Sequence, residues 1–330
     1  MKTGILITNT FDPWWNLAVE EYLLEQVQPN ECILYLWQNQ NTVVIGKNQN
    51  PWKECRVDLI EKEGGKLARR ISGGGAVFHD LGNLNFSFLV DREKYSIPAQ
   101  LEVILSAVRR LGIDARFSGR NDLTIGDKKF SGNAFCYRKQ AALHHGTILV
   151  SVDREKMTRY LQVAKEKIQS KGIESIRSRV VNLKELQPNI TIEDVKESIV
   201  DSFKQYYGSN TRTLSMNNID RRKVEELYRK YASWEWRYGE TPRFNISIST
   251  RFGWGGIEIG FVVNNGIVNK AVVYSDAMDE AFIDMLPEAM EGCAFNSRDI
   301  AKSLYDLNVN EGSRAHMLDE IAQWLIEKGF

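Results

Sequence analysis

The stretch LARRISGGGAVFHDLGN, residues 67–83, sets two arginines and three consecutive glycines ahead of an apolar triplet and a histidine. Consecutive glycines let successive backbone N–H groups turn towards one point, and they allow a ligand to approach the main chain. Arginine adds a forked donor suited to phosphate or carboxylate. Two interpretations are open on these residues alone: a plain glycine turn beside solvated arginines, or an anion-binding loop.

The familiar nucleotide-binding motifs do not account for this stretch. Phe78 stands where the last glycine of G-x-G-x-x-G would be, and the chain has no G-x-x-x-x-G-K-[ST] pattern. A conventional Rossmann or P-loop fold is therefore disfavoured.

Three polar clusters follow downstream: GRND at residues 119–122, KKFSGNA at 128–134 and HHGT at 144–147. A lysine beside a Ser-Gly turn can aim a cation at an acyl oxygen or an α-phosphate, although a lysine-rich hairpin tip would look the same. Adjacent histidines on a strand point to opposite faces. No acidic or thiol ligand lies at metal spacing from them, so structural histidines are favoured over a metal site.

Composition is typical of a globular protein with a sizeable core. The 330 residues are 43% hydrophobic, and 43 lysines and arginines balance 43 aspartates and glutamates. No global field then favours nucleic acid or a membrane surface. No apolar run approaches the roughly 20 residues of a membrane span, and the N-terminus lacks the apolar core of a signal peptide. The four cysteines have no metal or redox spacing, so we expect reduced thiols in the cytoplasm.

The order of predicted elements favours an α+β fold with a mixed sheet over a doubly wound parallel sheet. Asp12-Pro13 predicts the start of a helix. Strands predicted at residues 32–37 and 42–46 are joined by a polar turn, which predicts a hairpin. After Pro242 the sequence changes to a strand meander, with Asn265-Gly266 as a hairpin turn, and then three helices. We therefore expect a large domain over residues 1–245 and a small α+β domain over 246–330.

Taken together, the motifs resemble the lipoate–protein ligase A family. FDPWWNLAVEEYL, ARRISGGGAVFHDLGNLNFSF, GRNDL, KKFSGNA and HHGTILVSV occur in the family's order. The resemblance runs from the first strand to about residue 245, and the remaining residues are similar to that family's small accessory domain. It implies the α+β fold that this family shares with biotin–protein ligases.

The resemblance also implies a two-step reaction. Lipoate and ATP, with Mg²⁺, give lipoyl-adenylate and pyrophosphate. The lipoyl group then passes to a lysine of a lipoyl domain, in a 2-oxoacid dehydrogenase subunit or in the glycine-cleavage H protein. A monomer without nucleic-acid or membrane partners is expected.

The resemblance further implies a role for each matching residue. Lys129 is the expected catalytic residue, in contact with the acyl carbonyl and the phosphate, and Asp122 is the expected Mg²⁺ ligand. The lipoyl tail needs a narrow apolar slot, and Leu17, Trp37, Val44 and His145 are expected either as its walls or as ordinary core residues. The expected contacts to ATP and lipoyl-adenylate come from Arg70, Ser72, Gly73, Gly74, Gly75, Ala76, Val77, Phe78, His79, Asn83, Asn121, Asp122 and Lys129.

Two alternative functions stay open at this point. The chain could be an ATP-independent octanoyl- or lipoyl-transferase of the same superfamily with Cys136 as nucleophile, or a non-catalytic module that binds lipoyl domains. The presence of Lys129, Arg70 and the complete glycine run favours the ligase.

Overall fold

The computed structural model describes residues 1–118, 122–162, 180–238, 246–307, 309 and 312–330. The chain forms two compact units. The first comprises Met1–Ile45, Pro51–Ile71 and Ala76–Arg237, and the second comprises Gly46–Asn50, Ser72–Gly75 and Tyr238–Phe330. The expectations for Asn121 and for the segment around Pro242 lie outside the described residues.

The first unit is built on a mixed sheet of eight strands, in the order β11-β1-β2-β6-β10-β9-β8-β7, and a three-stranded sheet in the order β4-β3-β5. In the large sheet β1 runs parallel to β2 and β11, and the other pairs are antiparallel. This confirms the predicted α+β class. The strands are β1 (Lys2–Ile7), β2 (Glu31–Trp37), β3 (Thr42–Ile45), β4 (Lys66–Arg69), β5 (Val77–His79), β6 (Asn83–Asp91), β7 (Arg116–Ser118), β8 (Asp122–Ile125), β9 (Lys128–Tyr137), β10 (Ala141–Leu149) and β11 (Arg212–Thr213).

The predicted hairpin between β2 and β3 is wrong. β2 pairs with β1 along one edge and with β6 along the other, so no edge is left for β3. The chain instead turns through Asn41, which has a positive φ of 44°, and β3 becomes the centre of the small sheet.

Helices cover both faces of the large sheet. The helix after β1 begins as predicted, because Asp12 Oδ1 accepts a hydrogen bond from Trp14 N at 2.9 Å and Pro13 occupies the first turn. The helices of this part of the chain are α1 (Pro13–Gln26), α2 (Pro51–Glu54), α3 (Val57–Lys62), α4 (Ile97–Arg110), α5 (Arg154–Tyr160), α6 (Ile192–Tyr207), α7 (Arg221–Ala232) and α8 (Trp234–Tyr238).

The two faces of the large sheet differ in chemistry. Phe86 and Phe88 of β6 face a core shared with α4 and α6 that is apolar apart from His144 and its hydrogen-bond partners. Side chains alternate along a strand, so Asn85 and Ser87 point to the opposite face, against α1 and α7, where Leu89 joins a second apolar cluster. Both polar residues are buried. Apolar packing does not require polar side chains at these two buried positions. Asn85 and Ser87 therefore indicate that this face of the sheet has a functional role.

The second unit contains the predicted meander and three helices, β12 (Ile246–Phe252), β13 (Gly255–Asn264), β14 (Ile267–Ser275), α9 (Glu280–Met290), α10 (Ser297–Tyr305) and α11 (Ser313–Lys328). Asn265 and Gly266 have φ values of 52° and 76°, which confirms the predicted hairpin turn. In the part of the chain that the structure describes, no helix is long and apolar enough to cross a membrane.

Candidate active site

A row of residues crosses the α1-facing side of the large sheet. Asn85 on β6 lies opposite Trp37 of β2 and opposite Thr147 of β10. Thr147 Oγ1 accepts a hydrogen bond from Gly132 N of β9 at 3.3 Å, and Gly132 lies opposite Asp122 of β8. Opposed residues on one face lie about 4.5–5.5 Å apart. The register therefore brings four separate sequence motifs onto one surface.

Lys129 stands at the β8–β9 end of this row. Its Nζ lies 2.7 Å from Asp122 Oδ1, and both side chains are 36% exposed. The lysine bends back over Gly132, where a Cβ would lie 2.8 Å from Nζ and 2.9 Å from Cε. The ammonium group of Lys129 therefore occupies the space that a side chain at position 132 would fill. This half-exposed cation can exchange its carboxylate partner for a substrate anion.

Replacing Gly132 by alanine should displace this ammonium group while the sheet stays folded. The added methyl would meet only the end of a flexible side chain, so the backbone need not move. If Lys129 is catalytic, kcat should fall by about tenfold to a hundredfold, the penalty expected for a misplaced catalytic group, with the thermal midpoint nearly unchanged. Gly253→Ala is the comparison, because a Cβ there meets open space and Gly253 does not have a positive φ. A Gly132→Ala enzyme with wild-type kcat would show that the lysine does not need this position.

His79, at the end of β5, is held in one tautomer by a chain of amides. Asn16 Nδ2 donates to the carbonyl oxygens of Gln38 at 2.8 Å and Thr10 at 3.0 Å, which fixes its orientation. The same nitrogen donates to Asn39 Oδ1 at 3.0 Å. Asn39 must then present Nδ2 to His79 Nδ1, at 3.2 Å, so the imidazole accepts through Nδ1.

The electrostatic surroundings keep this imidazole neutral. Burial, with the nearby charges of Arg70 and His145, lowers the pKa of His79 to about 3. A neutral ring that accepts at Nδ1 carries its proton on Nε2. His79 Nε2 is buried and has no hydrogen-bond partner among the described residues. It is therefore a free N–H donor at neutral pH.

Arg70 follows β4, and its guanidinium group is buried. Nη1 donates to the Val44 carbonyl oxygen at 3.3 Å, and the backbone N–H donates to Ile45 at 3.0 Å. Burial lowers the pKa of Arg70 to about 10, and Glu20 acts in the opposite direction. Arg70 therefore stays charged at neutral pH and faces a carboxylate inside the unit.

Glu20 of α1 is the centre of a buried polar network. Its Oε1 accepts hydrogen bonds from Ser87 Oγ and from His145 Nδ1, the latter at 2.9 Å. Trp37 Nε1 donates to Ser87 Oγ at 3.0 Å. The network joins two predicted pocket residues, Trp37 and His145, to a carboxylate that the sequence did not single out.

The two histidines of the HHGT motif have different surroundings. His144 lies on the other face of β10, with Nδ1 3.0 Å from Gln100 Oε1 and Nε2 2.9 Å from Asn133 Oδ1. Burial lowers its pKa to about 3. The described residues contain no group of three or more His, Cys, Asp or Glu side chains that would hold a metal ion. His144 is thus hydrogen-bonded through both ring nitrogens within the fold.

Acid should destabilise the protein through these two buried imidazoles. The unfolded chain binds their protons near pH 6.5, whereas the native state does so only near pH 3. Their contribution to the free energy of unfolding is complete above pH 6.5 and is lost as the pH falls towards 3. The free energy of unfolding then falls by up to about 1.4 kcal/mol per pH unit for each histidine. Urea unfolding at pH 7, 6 and 5 measures this slope. His144→Gln should reduce this slope by the share of one histidine. Equal slopes of the free energy of unfolding against pH in the variant and the wild type would show that His144 is not buried in its neutral form.

The glycine segment Ser72–Gly75 belongs to the second unit. Gly74, with a φ of 90°, donates its N–H to the Ala277 carbonyl oxygen at 3.0 Å. A Cβ on Gly73 would lie 2.3 Å from the same oxygen. Gly73 is therefore required by close backbone packing, and Gly74 by its positive φ. The Gly74 amide becomes available to an anion only when the Ala277 carbonyl leaves it.

The remaining predicted residues lie in the first unit. Phe78 packs its ring on Tyr160, with centroids 5.5 Å apart, whereas Val77 packs against the α1-side cluster. Leu17, Trp37 and Val44 are buried members of that cluster. The residues missed from the sequence are Glu20, Asn85, Ser87 and Gly132. A signal was present for two of them, because NLNFSF alternates polar and apolar residues where a buried strand would be apolar throughout.

Comparisons with known proteins agree along nearly the whole chain. The family described as "Lipoyl protein ligase A/B catalytic domain" matches residues 12–204, and "Bacterial lipoate protein ligase C-terminus" matches residues 241–325. A lipoate-protein ligase A of Psychrobacter cryohalolentis is 40% identical over 334 residues, which cover 99% of this chain and 98% of that protein.

Two solved structures extend the likeness to ligand complexes. P. falciparum LipL1 in complex with lipoate is 33% identical, with a TM-score of 0.86 and coverage of 98% of this chain and 99% of that chain. A lipoate-protein ligase A bound with ATP is 28% identical, with a TM-score of 0.62 and coverage of 73% and 100%. The similar folds thus include ones that hold lipoate and ATP.

Proposed function

The chain belongs to the lipoate–protein ligase family, and we propose that it forms lipoyl-adenylate over the sheet face that carries Lys129. It is an ATP-dependent ligase. Lipoate ligases act on lipoyl domains. We assign the adenylation site to the domain of residues 1–245 and an accessory role to residues 246–330.

The chemistry requires positive charge at the point where two anions meet. In the first step a carboxylate oxygen of lipoate attacks the α-phosphorus of ATP, and pyrophosphate leaves. In the second step the ε-amine of an acceptor lysine attacks the acyl carbon, loses a proton, and AMP leaves. Both steps place negative charge on the acyl and phosphate oxygens, so preorganised cations there stabilise both transition states. Lys129, held over Gly132 beside Asp122, is the observation that carries this proposal.

The other donors take complementary roles in the proposal. Arg70 supplies a second cation from inside the unit, and His79 offers its Nε2–H without adding charge. The backbone of Ala76–Phe78 would lie along the nucleotide. Leu17, Trp37, Val44 and His145 would enclose the lipoyl tail, because three of them are buried in one apolar cluster and the fourth is tied to Trp37 through Glu20.

Mg²⁺ fits this set of residues as an ion held mainly by substrate. Magnesium is commonly bound through one or two carboxylates together with phosphates and waters. Asp122 is half-exposed beside Lys129, and Asn83 Oδ1 is a buried acceptor without a partner among the described residues. The Asp122 carboxylate would hold the ion, which would neutralise charge on the ATP phosphates, whereas Asn83 lies three strands away across the sheet and would contact the nucleotide.

The acceptor proposed for the lipoyl group is the lysine of a lipoyl domain in a 2-oxoacid dehydrogenase complex or in the glycine-cleavage H protein. This proposal rests on the family, since lipoate ligases act on lipoyl domains. We propose that the enzyme acts as a monomer.

The alternative reaction through Cys136 is disfavoured by its surroundings. The side chain is fully buried in the α1-side apolar cluster, opposite Leu143 of β10. A thiol nucleophile requires access and a means of ionisation, and an apolar core provides neither.

Mass spectrometry of a lipoyl domain tests the proposed function. Incubation with enzyme, lipoate, ATP and Mg²⁺ should add one lipoyl group, and omission of ATP should abolish the gain. The Cys136→Ser variant should retain ATP-dependent lipoylation. Transfer without ATP, together with inactivity of Cys136→Ser, would establish the transferase instead.

A further inference from the structure

Asn85 carries a buried hydrogen-bond donor that the protein itself does not satisfy. The residue is 2% exposed, and its Nδ2 has no partner among the described residues. Leaving a buried amide N–H unpaired costs about 1–3 kcal/mol, and such groups are rare in native proteins. An unsatisfied donor on the site face of the sheet therefore points to a ligand.

The oxygen of this amide is already paired with a neighbour on the same strand. Asn83 Nδ2 donates to Asn85 Oδ1 at 3.0 Å. Because Oδ1 is occupied in this way, Nδ2 is the half of the Asn85 amide that is left for another molecule. Asn83 is itself fully buried, so the contact is protected from solvent.

The position of Asn85 identifies the part of the substrate it can meet. It lies in the row across the sheet between Trp37, proposed for the lipoyl tail, and Thr147, which is bonded to Gly132 beneath Lys129. The methylene chain and the dithiolane ring have no strong acceptor, so burial against them would leave the amide unpaired. The carboxyl end has only acceptors, first as carboxylate and then as acyl carbonyl.

We propose that Asn85 Nδ2 donates a hydrogen bond to the acyl oxygen of the substrate, in lipoate and again in lipoyl-adenylate. The inference rests on the proposed function and adds a residue to it. A neutral donor complements Lys129, because it stays on the acyl oxygen through both steps while the charged groups exchange partners. Asn85 then contributes to recognition of any fatty acyl substrate by its carboxyl group rather than by its sulfur atoms.

Lipoate-dependent ATP–pyrophosphate exchange tests this assignment. Asn85→Leu keeps the side-chain volume and removes the donor. It should raise the KM for lipoate by about tenfold or more, the loss expected for a hydrogen bond to a charged group. The KM for octanoate should rise by the same factor, and the KM for ATP should stay within twofold. Asn85→Ala should give the same pattern, which keeps the test valid if one variant folds poorly.

Ser202→Ala is the matched control. Ser202 Oγ is also buried without a partner among the described residues, but it lies on α6, the helix that packs on the opposite face of the sheet, and its replacement should change no KM. A KM for lipoate within twofold of wild type in both Asn85 variants would overturn the proposal. So would a loss confined to lipoate, which would move Asn85 to the dithiolane ring. Failure of exchange in the wild-type enzyme would instead count against the proposed function.

Discussion

Replacing Lys129 by alanine should reduce lipoyl-adenylate formation by about a thousandfold, the upper range for removal of one preorganised group that stabilises transition-state charge. The side chain is 36% exposed and is bound to Asp122 at 2.7 Å, so its loss costs little packing. An exposed ion pair of this kind contributes at most about 1 kcal/mol to folding. Activity should therefore disappear from a protein with an unchanged thermal midpoint.

Both half-reactions should be measured on this variant. Pyrophosphate exchange reports the first step, and single-turnover transfer from supplied lipoyl-adenylate reports the second. Lys128→Ala is the control, because Lys128 is the exposed neighbour on β9 and contacts neither Asp122 nor Gly132 in the described structure. Near-normal turnover of Lys129→Ala at saturating ATP would remove the lysine from its role.

Replacing Arg70 by alanine should affect binding and stability together. Loss of a charge-assisted contact should weaken a non-hydrolysable lipoyl-adenylate mimic by about 1.5–3 kcal/mol, or roughly 10- to 150-fold. The same change leaves Glu20 fully buried without the cation that faces it. Loss of a cation that acts on a buried carboxylate is destabilising, so the thermal midpoint should fall as well.

A double variant separates the two effects of Arg70. Adding Glu20→Gln removes the uncompensated carboxylate, so Arg70→Ala/Glu20→Gln should recover part of the lost stability while its affinity for the mimic stays low. Isothermal titration and thermal unfolding on the single and double variants provide the comparison. Unchanged affinity in Arg70→Ala would take Arg70 out of the ligand site.

The features predicted correctly from the sequence are those that depend on a few neighbouring residues. Asp12-Pro13 and Asn265-Gly266 specify a helix start and a turn whatever surrounds them, and both were found where predicted. The hairpin between β2 and β3 failed because strand pairing depends on which edges are free, and β1 and β6 had already taken both edges of β2. No local pattern carries that information.

In the candidate site, too, some residues could be recognised from the sequence and others only from the folded structure. The glycine run, Lys129 and the histidines stand out in the sequence by composition. Gly132 matters only through the lysine that folds over it, and Glu20 only through partners 67 and 125 residues away along the chain. The Ala277 carbonyl on Gly74 is likewise a contact between distant positions. Such residues become visible once register and packing are known.

Formation of the acyl-adenylate over Lys129 is tested by lipoate-dependent ATP–pyrophosphate exchange with the purified enzyme and no acceptor, measured beside Lys129→Ala. The wild-type protein should show rapid exchange that requires both lipoate and Mg²⁺, and the variant about a thousandfold less. Equal exchange in the two proteins, or none in the wild type while a lipoyl domain is still modified, would contradict an acyl-adenylate formed over Lys129.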